Sequence, residues 1–343
     1  FKYVSPSMTD PLNGSSLPIL TMFTNHKGIV LISVLLIVLI LSAISVSIGK
    51  YYFLSFTREG FVDFQNNALQ YSRNLETFAL NELGKEFKFS KQSFPKNHVL
   101  LSQPMAIELE HGTLNATLAD ATNCFNLNSL FDYRNEQYTT NLEAIAGFQK
   151  LLGFLEFDNN DIDSLTDQIL DWIDADDQPR SNGLEDYYYI GPMNTAKQFT
   201  SKRLFYHLSE LKNLPASTAI AWPAFRQHFC VRPSTRGNYA INLNTLESDD
   251  VLLLASIYPG LSLDDAESII NTIPEEGFAS TSQLAGVFPN FDFSTTHLPV
   301  SFTTEWFYLD AVITFEKYSA TSRTLINMNN NKAYIVSRSY NGI

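Results

Sequence analysis

From Ile29 to Ile48 the chain runs for twenty residues without a charge, IVLISVLLIVLILSAISVSI, with Lys27 before the run and Lys50 after it. Wound as a helix at about 1.5 Å per residue, that length covers about 30 Å, the hydrocarbon thickness of a bilayer. The run is apolar on every side, which suits lipid better than a core helix with one wet face. Ser33, Ser42, Ser45 and Ser47 are tolerable because a serine hydroxyl can donate to a carbonyl of its own helix. A secretory signal has a shorter apolar core, about 7–15 residues, and then a small-residue cleavage region. No such region follows here. Instead Phe53, Phe56, Phe61, Phe64, Leu69, Leu75, Phe78, Leu83 and Phe87 recur at mostly three- to five-residue steps without proline, a helical rhythm with one apolar stripe. Gly60 and Gly84 are weak points in it. A membrane helix at 29–48 is expected to run on as an amphipathic helix over 49–92.

Charge excludes one class of function. Acidic residues outnumber basic ones 36 to 23, a formal charge of −13. Gripping nucleic acid takes clustered Lys and Arg to neutralise phosphates. With 45% apolar and 17% charged residues, the chain has the composition of a folded protein rather than a disordered one. The excess is also local. Residues 156–186 hold eleven acids and a single base, Arg180.

The densest part of that cluster follows a helical stretch, Asp163 to Ile173, with Leu165, Ile169, Trp172 and Ile173 on one face. Acids then crowd at its end, where the helix dipole disfavours negative charge. Asp171, Asp174, Asp176, Asp177, Glu185 and Asp186 are oxygen donors of the kind that suits Ca²⁺. The spacing imitates an EF-hand loop, with Asp174, Asp176, Gln178, Asn182 and Glu185 at its first, third, fifth, ninth and twelfth positions. Pro179 stands where that loop requires Gly, so an EF-hand is excluded while a calcium loop is retained.

An internal repeat lies on both sides of this loop. Phe125-Asn-Leu-Asn-Ser-Leu130 returns as Ile241-Asn-Leu-Asn-Thr-Leu246. Both copies offer Asn and Ser/Thr as helix caps and precede helical stretches, which points to two similar helical subdomains. The second continues through Pro259-Gly260 with Ala266, Ile269 and Ile270 on a packing face, the pattern of a helix-hairpin-helix. Such hairpins often grip DNA phosphates, but from Thr245 to Phe288 there is no Lys or Arg. Phosphate would be repelled, and a protein-facing role is expected. Strand patterns lie outside the helical region. His98–Ser102 reads as a short strand and Met105–Leu118 as a hairpin turning at His111-Gly112. Trp306–Glu316, Ser322–Met328 and Lys332–Arg338 read as further strands.

Directly before the apolar run stands Met22-Phe-Thr-Asn-His-Lys-Gly28. A short basic leader ending in Gly against an apolar helix resembles the type IV prepilin leader. The resemblance implies cleavage by a prepilin peptidase between Gly28 and Ile29, N-methylation of Ile29, and a true start at Met22, with 1–28 as leader. Most members carry Glu five residues into the mature chain, where it is thought to pair with a neighbour's amine. Ser33 stands there instead, as in the minor pseudopilin K family of type II secretion systems. The stretch D-W-x-D-x-D followed by G-x-E-D-x-Y-Y, and the repeated N-L-N, also resemble that family.

The resemblance implies an α+β fold: a pilin-like long N-terminal helix packed on an antiparallel sheet, with a large inserted α-helical domain. The β domain is expected at 93–124 and 292–343. The insert is expected at 125–291, as two SAM-like, helix-hairpin-helix-like subdomains over about 125–210 and 211–291. It implies structural Ca²⁺ on the six acids named above, with Trp172 and Tyr187–Tyr189 packing the loop onto its domain. Minor pseudopilins I and J, other pseudopilins and prepilin peptidase are the implied partners, at the tip of a pseudopilus that drives protein export. Residues 29–48 would hold the chain in the bacterial inner membrane by a single pass, with the C-terminal domain in the periplasm. In that compartment a bridge between Cys124 and Cys230 persists, the alternative being two free thiols.

Three other readings compete. A calcium-binding interaction protein of another pilus-like assembly shares the leader and the loop. A membrane-anchored hydrolase lacks support, since no G-x-S-x-G or HExxH motif is present and His26, His98, His111, His207, His228 and His297 form no ligand spacing. A DNA-uptake protein is opposed by the absent Lys and Arg. A non-enzymatic role is therefore expected.

Overall fold

Helix α1 spans Lys27–Phe89 in the computed structural model, which describes residues 27–89, 95–134, 137–192, 197–233 and 239–342. The proposed leader up to residue 26, its start at Met22 included, lies outside the described residues. All side chains from Ile29 to Ile48 are exposed, and α1 is long and apolar enough to cross a membrane, with an 18-residue stretch of mean hydropathy 3.2. The Ser33 hydroxyl donates to the Val30 carbonyl at 2.9 Å, so it needs no partner outside its helix.

From Asp63 onward the chain forms one compact unit. There α1 buries Phe64, Ala68, Ser72, Leu75, Glu76, Ala79 and Leu83, a stripe at three- and four-residue steps. The stripe lies on a five-stranded antiparallel sheet built from both ends of the unit. Strands β1 (Met105–Leu109) and β2 (Gly112–Asp120) form the hairpin expected at His111-Gly112. The other three strands, described below, come from the C-terminal end.

His98–Ser102, expected as strand, is instead the short helix α2, Val99–Ser102. The Leu100 N–H donates to His98 Nδ1 at 3.3 Å, a side-chain cap that favours a helical turn over extension.

After β2 the chain leaves the sheet. It passes through β3 (Phe125–Asn126), a 3-10 turn at Leu127–Leu130, and a small hairpin of β4 (Phe131–Arg134) and β5 (Gln137–Thr140). That hairpin intervenes before the helical stretch expected directly after the first repeat. Helices α3 (Leu142–Phe154), α4 (Asn159–Ile173), α5 (Asp186–Tyr189) and α6 (Trp222–His228) follow, then β6 (Phe229–Cys230). The second repeat is β7 (Ile241–Asn242) and a 3-10 turn at Leu243–Thr245, leading to α7 (Val251–Ile257), α8 (Leu263–Asn271) and α9 (Thr281–Val287). Strand β8 (Val300–Ser301) closes this excursion. Strands β9 (Trp306–Phe315), β10 (Tyr318–Asn329) and β11 (Lys332–Asn341) complete the sheet in the order β1-β2-β9-β10-β11.

The seam is at β2 and β9. Leu114, Ala116 and Leu118 pair with Ile313, Ala311 and Leu309, so both strands send alternate apolar residues against α1. Where the pairing ends, the Ala121 N–H donates to the Trp306 carbonyl at 2.9 Å. Residues 122–305 therefore depart and return through adjacent positions of one sheet.

Polar contacts also tie α1 to the far side of the sheet. Glu76, 2% exposed, accepts from Thr324 Oγ1 at 2.8 Å and from Arg338 Nε at 2.9 Å.

Strand pairing divides the helical material. β3 lies parallel to β6, and β7 lies parallel to β8. Thus α6 and β6 belong with the first copy and Val300–Ser301 with the second, so the seam between copies falls between residues 230 and 241 rather than at 210. A single apolar core runs through both copies and includes Phe125, Phe148, Phe229, Ile241, Leu254 and Tyr258.

Candidate metal centre and paired asparagine anchors

Each repeat is a polar clamp. The second Asn of the first copy, Asn128, accepts from the Phe205 N–H at 2.9 Å and donates from Nδ2 to the Phe205 carbonyl at 2.9 Å. Its counterpart Asn244 accepts from the Phe278 N–H at 2.7 Å and donates to the Phe278 carbonyl at 2.8 Å. Both amides are wholly buried. Each acts as a side-chain imitation of a β-bridge and satisfies a buried backbone that has no strand partner. The first Asn caps its own 3-10 turn: Asn126 accepts from the Asn128 N–H at 3.3 Å and Asn242 from the Asn244 N–H at 3.2 Å. The following hydroxyl closes the turn, Ser129 onto the Asn126 carbonyl and Thr245 onto the Asn242 carbonyl. The repeated letters are thus repeated hydrogen bonds.

Asp120, at the end of β2, joins the sheet to the second copy. Its carboxylate accepts from Asn242 Nδ2, Thr245 Oγ1, Thr304 Oγ1, and both the N–H and the hydroxyl of Thr122. Cys124 and Cys230 are joined by a disulfide, Cα–Cα 5.7 Å, across the β3–β6 pair.

The acid loop begins where α4 ends. Its last turn buries Asp171 and Trp172, and Asp174 at the C-cap is 8% exposed. Arg180 Nη1 donates to Asp171 Oδ1 at 2.5 Å and to Asp174 Oδ2 at 2.6 Å, and the Arg180 N–H donates to Asp171 Oδ2 at 3.1 Å. Gly183 lies against the same carboxylate, so close that a Cβ there would stand 1.8 Å from Asp171 Oδ2.

The chain then returns to place Glu185 beneath this ion pair. Glu185 is 1% exposed, and among the described residues neither of its carboxylate oxygens has a hydrogen-bond partner. Asp174 Oδ1 is likewise without one. One oxygen each of Asp174, Asp176 and Glu185 all lie within 4.8 Å of one another. Burial, and after it the charges of Asp171 and Asp174, push the Glu185 carboxyl up to about 7. A buried carboxylate with no partner is costly, and either a proton or a cation removes the cost.

Of the six acids expected as ligands, three converge: Asp174, Asp176 and Glu185. The others are held elsewhere. Asp171 is taken by Arg180. Asp177 is 77% exposed at its side chain and pairs with Lys202 at 2.5 Å. Asp186 accepts the Thr200 N–H at 2.7 Å and the Thr200 hydroxyl at 2.8 Å. Trp172 and Tyr189 stack edge-on at 5.1 Å and bury the base of the loop, whereas Tyr187 points outward at 59% exposure. Sequence reasoning assigned no role to Arg180. The signal was its position as the single base among eleven acids.

A long helix laid on a five-stranded antiparallel sheet, with a duplicated helical excursion between the second and third strands of the sheet, is the build of a pilin-like subunit. The fold is that of a solved structure, a chain of the GspK-GspI-GspJ complex from the type 2 secretion system of enterotoxigenic Escherichia coli, at a TM-score of 0.68 and 22% identity. The likeness covers 80% of this chain and 96% of that one. Family models for type II secretion system protein K match residues 123–234 and 241–294, one to each copy of the repeat. The type II secretion system protein K of Pectobacterium carotovorum is 25% identical over 94% of this chain and 98% of its own length. The corresponding putative protein of Escherichia coli K12 is 26% identical over 76% of this chain and 79% of its own. The chain belongs to the type II secretion system protein K family and is a minor pseudopilin of that system.

Proposed function

We propose that this chain caps the tip of a periplasmic pseudopilus together with the minor pseudopilins I and J during export of proteins across the outer membrane. The observation that carries the reading is the fold it shares with a chain of a GspK-GspI-GspJ complex. Ser33 supports it. A hydroxyl satisfied within its own helix asks nothing of a subunit stacked above, which suits the last subunit of a filament. In this reading prepilin peptidase cuts between Gly28 and Ile29, Ile29 is methylated, residues 29–48 sit in the inner membrane and the unit from Asp63 stands in the periplasm. Its role is structural rather than enzymatic, and the two helical copies are SAM-like in arrangement.

The acid loop holds structural Ca²⁺ through Asp174, Asp176 and Glu185. An ion about 2.3–2.6 Å from each oxygen permits oxygen separations up to about 5 Å, and the three oxygens meet that limit. Bound there, the ion would supply the positive charge that Glu185 and Asp174 Oδ1 lack. Arg180 keeps Asp171 and the other Asp174 oxygen oriented.

The test is export itself. Deleting the gene in the host bacterium should strand folded exoproteins in the periplasm, and the intact chain should restore their release. Normal export without the chain would overturn the reading.

A further inference from the structure

Helix α1 carries a second apolar feature beyond the membrane-length run. Tyr51, Tyr52, Phe53, Leu54 and Phe56 are 62–76% exposed. At about 100° per residue these side chains point in all directions, leaving no gap in the circle wider than about 100°. This is a collar, not a stripe. Further along the same helix, from Phe64 to Leu83, the buried positions keep to one face, as a helix packed on a single protein surface must. A protein partner covers one side, whereas a lipid interface surrounds the whole circumference.

Position and chemistry agree. The collar begins three residues after Ile48, separated from the uncharged run by Gly49 and Lys50, and is followed by Arg58 and Glu59. A lysine can bury its methylene stem in lipid and lift its ammonium to the headgroups. Tyrosine offers an apolar ring and a polar tip, and is enriched where acyl chains meet headgroups. Residues 51–56 rise about 9 Å along the helix axis, on the scale of the interfacial layer.

We propose that Tyr51, Tyr52, Phe53 and Phe56 form a membrane-interface anchor, an aromatic collar seated in the headgroup layer that fixes the depth of α1. The inference rests on the reading of residues 29–48 as a membrane span. It adds that the lipid-contacting segment extends through Phe56 and ends in the interface.

The full chain is reconstituted into phosphatidylethanolamine–phosphatidylglycerol vesicles doped with lipid brominated either near the carbonyl end or near the methyl end of the acyl chain. Tyr52→Trp, and separately Phe56→Trp, adds one reporter to the three native tryptophans, and the wild-type signal is subtracted. The added tryptophan should be quenched more by the carbonyl-end label than by the methyl-end label, to the same extent at all protein-to-lipid ratios. Absence of quenching, or stronger quenching by the methyl-end label, overturns the collar. Quenching that fades as protein density rises assigns the aromatic surface to a second copy and also overturns it. Flotation with the same vesicles separates the two claims: a chain that floats but is not quenched keeps its membrane span and loses its collar, and one that fails to float loses both.

Discussion

Asn244 and Phe278 hold each other by two hydrogen bonds, amide to backbone in both directions. Asn128 and Phe205 repeat the arrangement in the other half of the helical region. The two copies are therefore related by the way they bury a polar amide, and each amide pins a distant loop to the start of its own copy.

Replacing Asn244 by Leu should cost about 2–4 kcal/mol, because the Phe278 N–H and carbonyl would be left buried without partners. Asn244→Asp should cost less in acid, where a protonated carboxyl can still donate, and more at neutral pH. Chemical denaturation at both pH values measures the difference.

Calcium should raise the melting temperature of the purified chain, and chelation should lower it, by about 2.7 kcal/mol of stability at a hundredfold excess over Kd. The effect should depend on pH. With its carboxyl raised to about 7 in the folded state against 4.5 in the open chain, Glu185 holds a proton that the unfolded chain has released. In metal-free protein its contribution is fully present below about 4.5 and is lost as pH rises to about 7, because unfolding there releases a proton. Calcium competes with that proton, so the calcium-induced rise should be larger at pH 8 than at pH 5.5. Glu185→Gln should flatten the metal-free pH dependence and remove most of the calcium response.

Gly183→Ala should destabilise the loop. The added methyl would meet Asp171 Oδ2 and push that carboxylate off the Arg180 N–H and guanidinium. A lower melting temperature and weaker calcium binding are expected together. Gly191→Ala, whose Cβ would meet backbone 2.9 Å away outside the acid cluster, should leave calcium affinity unchanged.

Glu76→Gln should weaken the link between α1 and β11. The amide can still accept from Thr324 but no longer neutralises Arg338, whose side chain is 43% exposed and can turn to water. About 1 kcal/mol is expected. Glu76→Ala should cost more, since Thr324 Oγ1 then loses its acceptor in a buried site. Urea unfolding of the two variants gives the comparison.

Gly28→Ala should leave the chain uncleaved by prepilin peptidase, read as a species of higher mass with an unmethylated terminus. A normally processed product would contradict the assignment of Gly28 and Ile29.

Much of the architecture was written in periodicity. The apolar run, the stripe beyond it and the alternation in β2, β9 and β10 each carry their own period, and the structure follows them. His98–Ser102 misled because three consecutive apolar residues have no period to read, and the choice fell to the ring of His98 capping Leu100. The repeated N-L-N was visible as a repeat, but its purpose was not. The backbone it serves lies 77 residues away in one copy and 34 in the other. The acid loop was legible as a local excess of unbalanced charge, eleven acids against one base. The division of labour within it was not. Which acids meet depends on how Arg180 and Gly183 fold the loop back against Asp171, and no local spacing encodes that return.

The most direct measurement is assembly. The full chain, purified in detergent with the minor pseudopilins I and J of its own secretion system, should elute from size-exclusion chromatography as one complex containing all three. Light scattering should give the summed mass of one copy of each. Elution of this chain alone, with I and J in separate peaks at concentrations well above those in the cell, would contradict its placement at the pseudopilus tip.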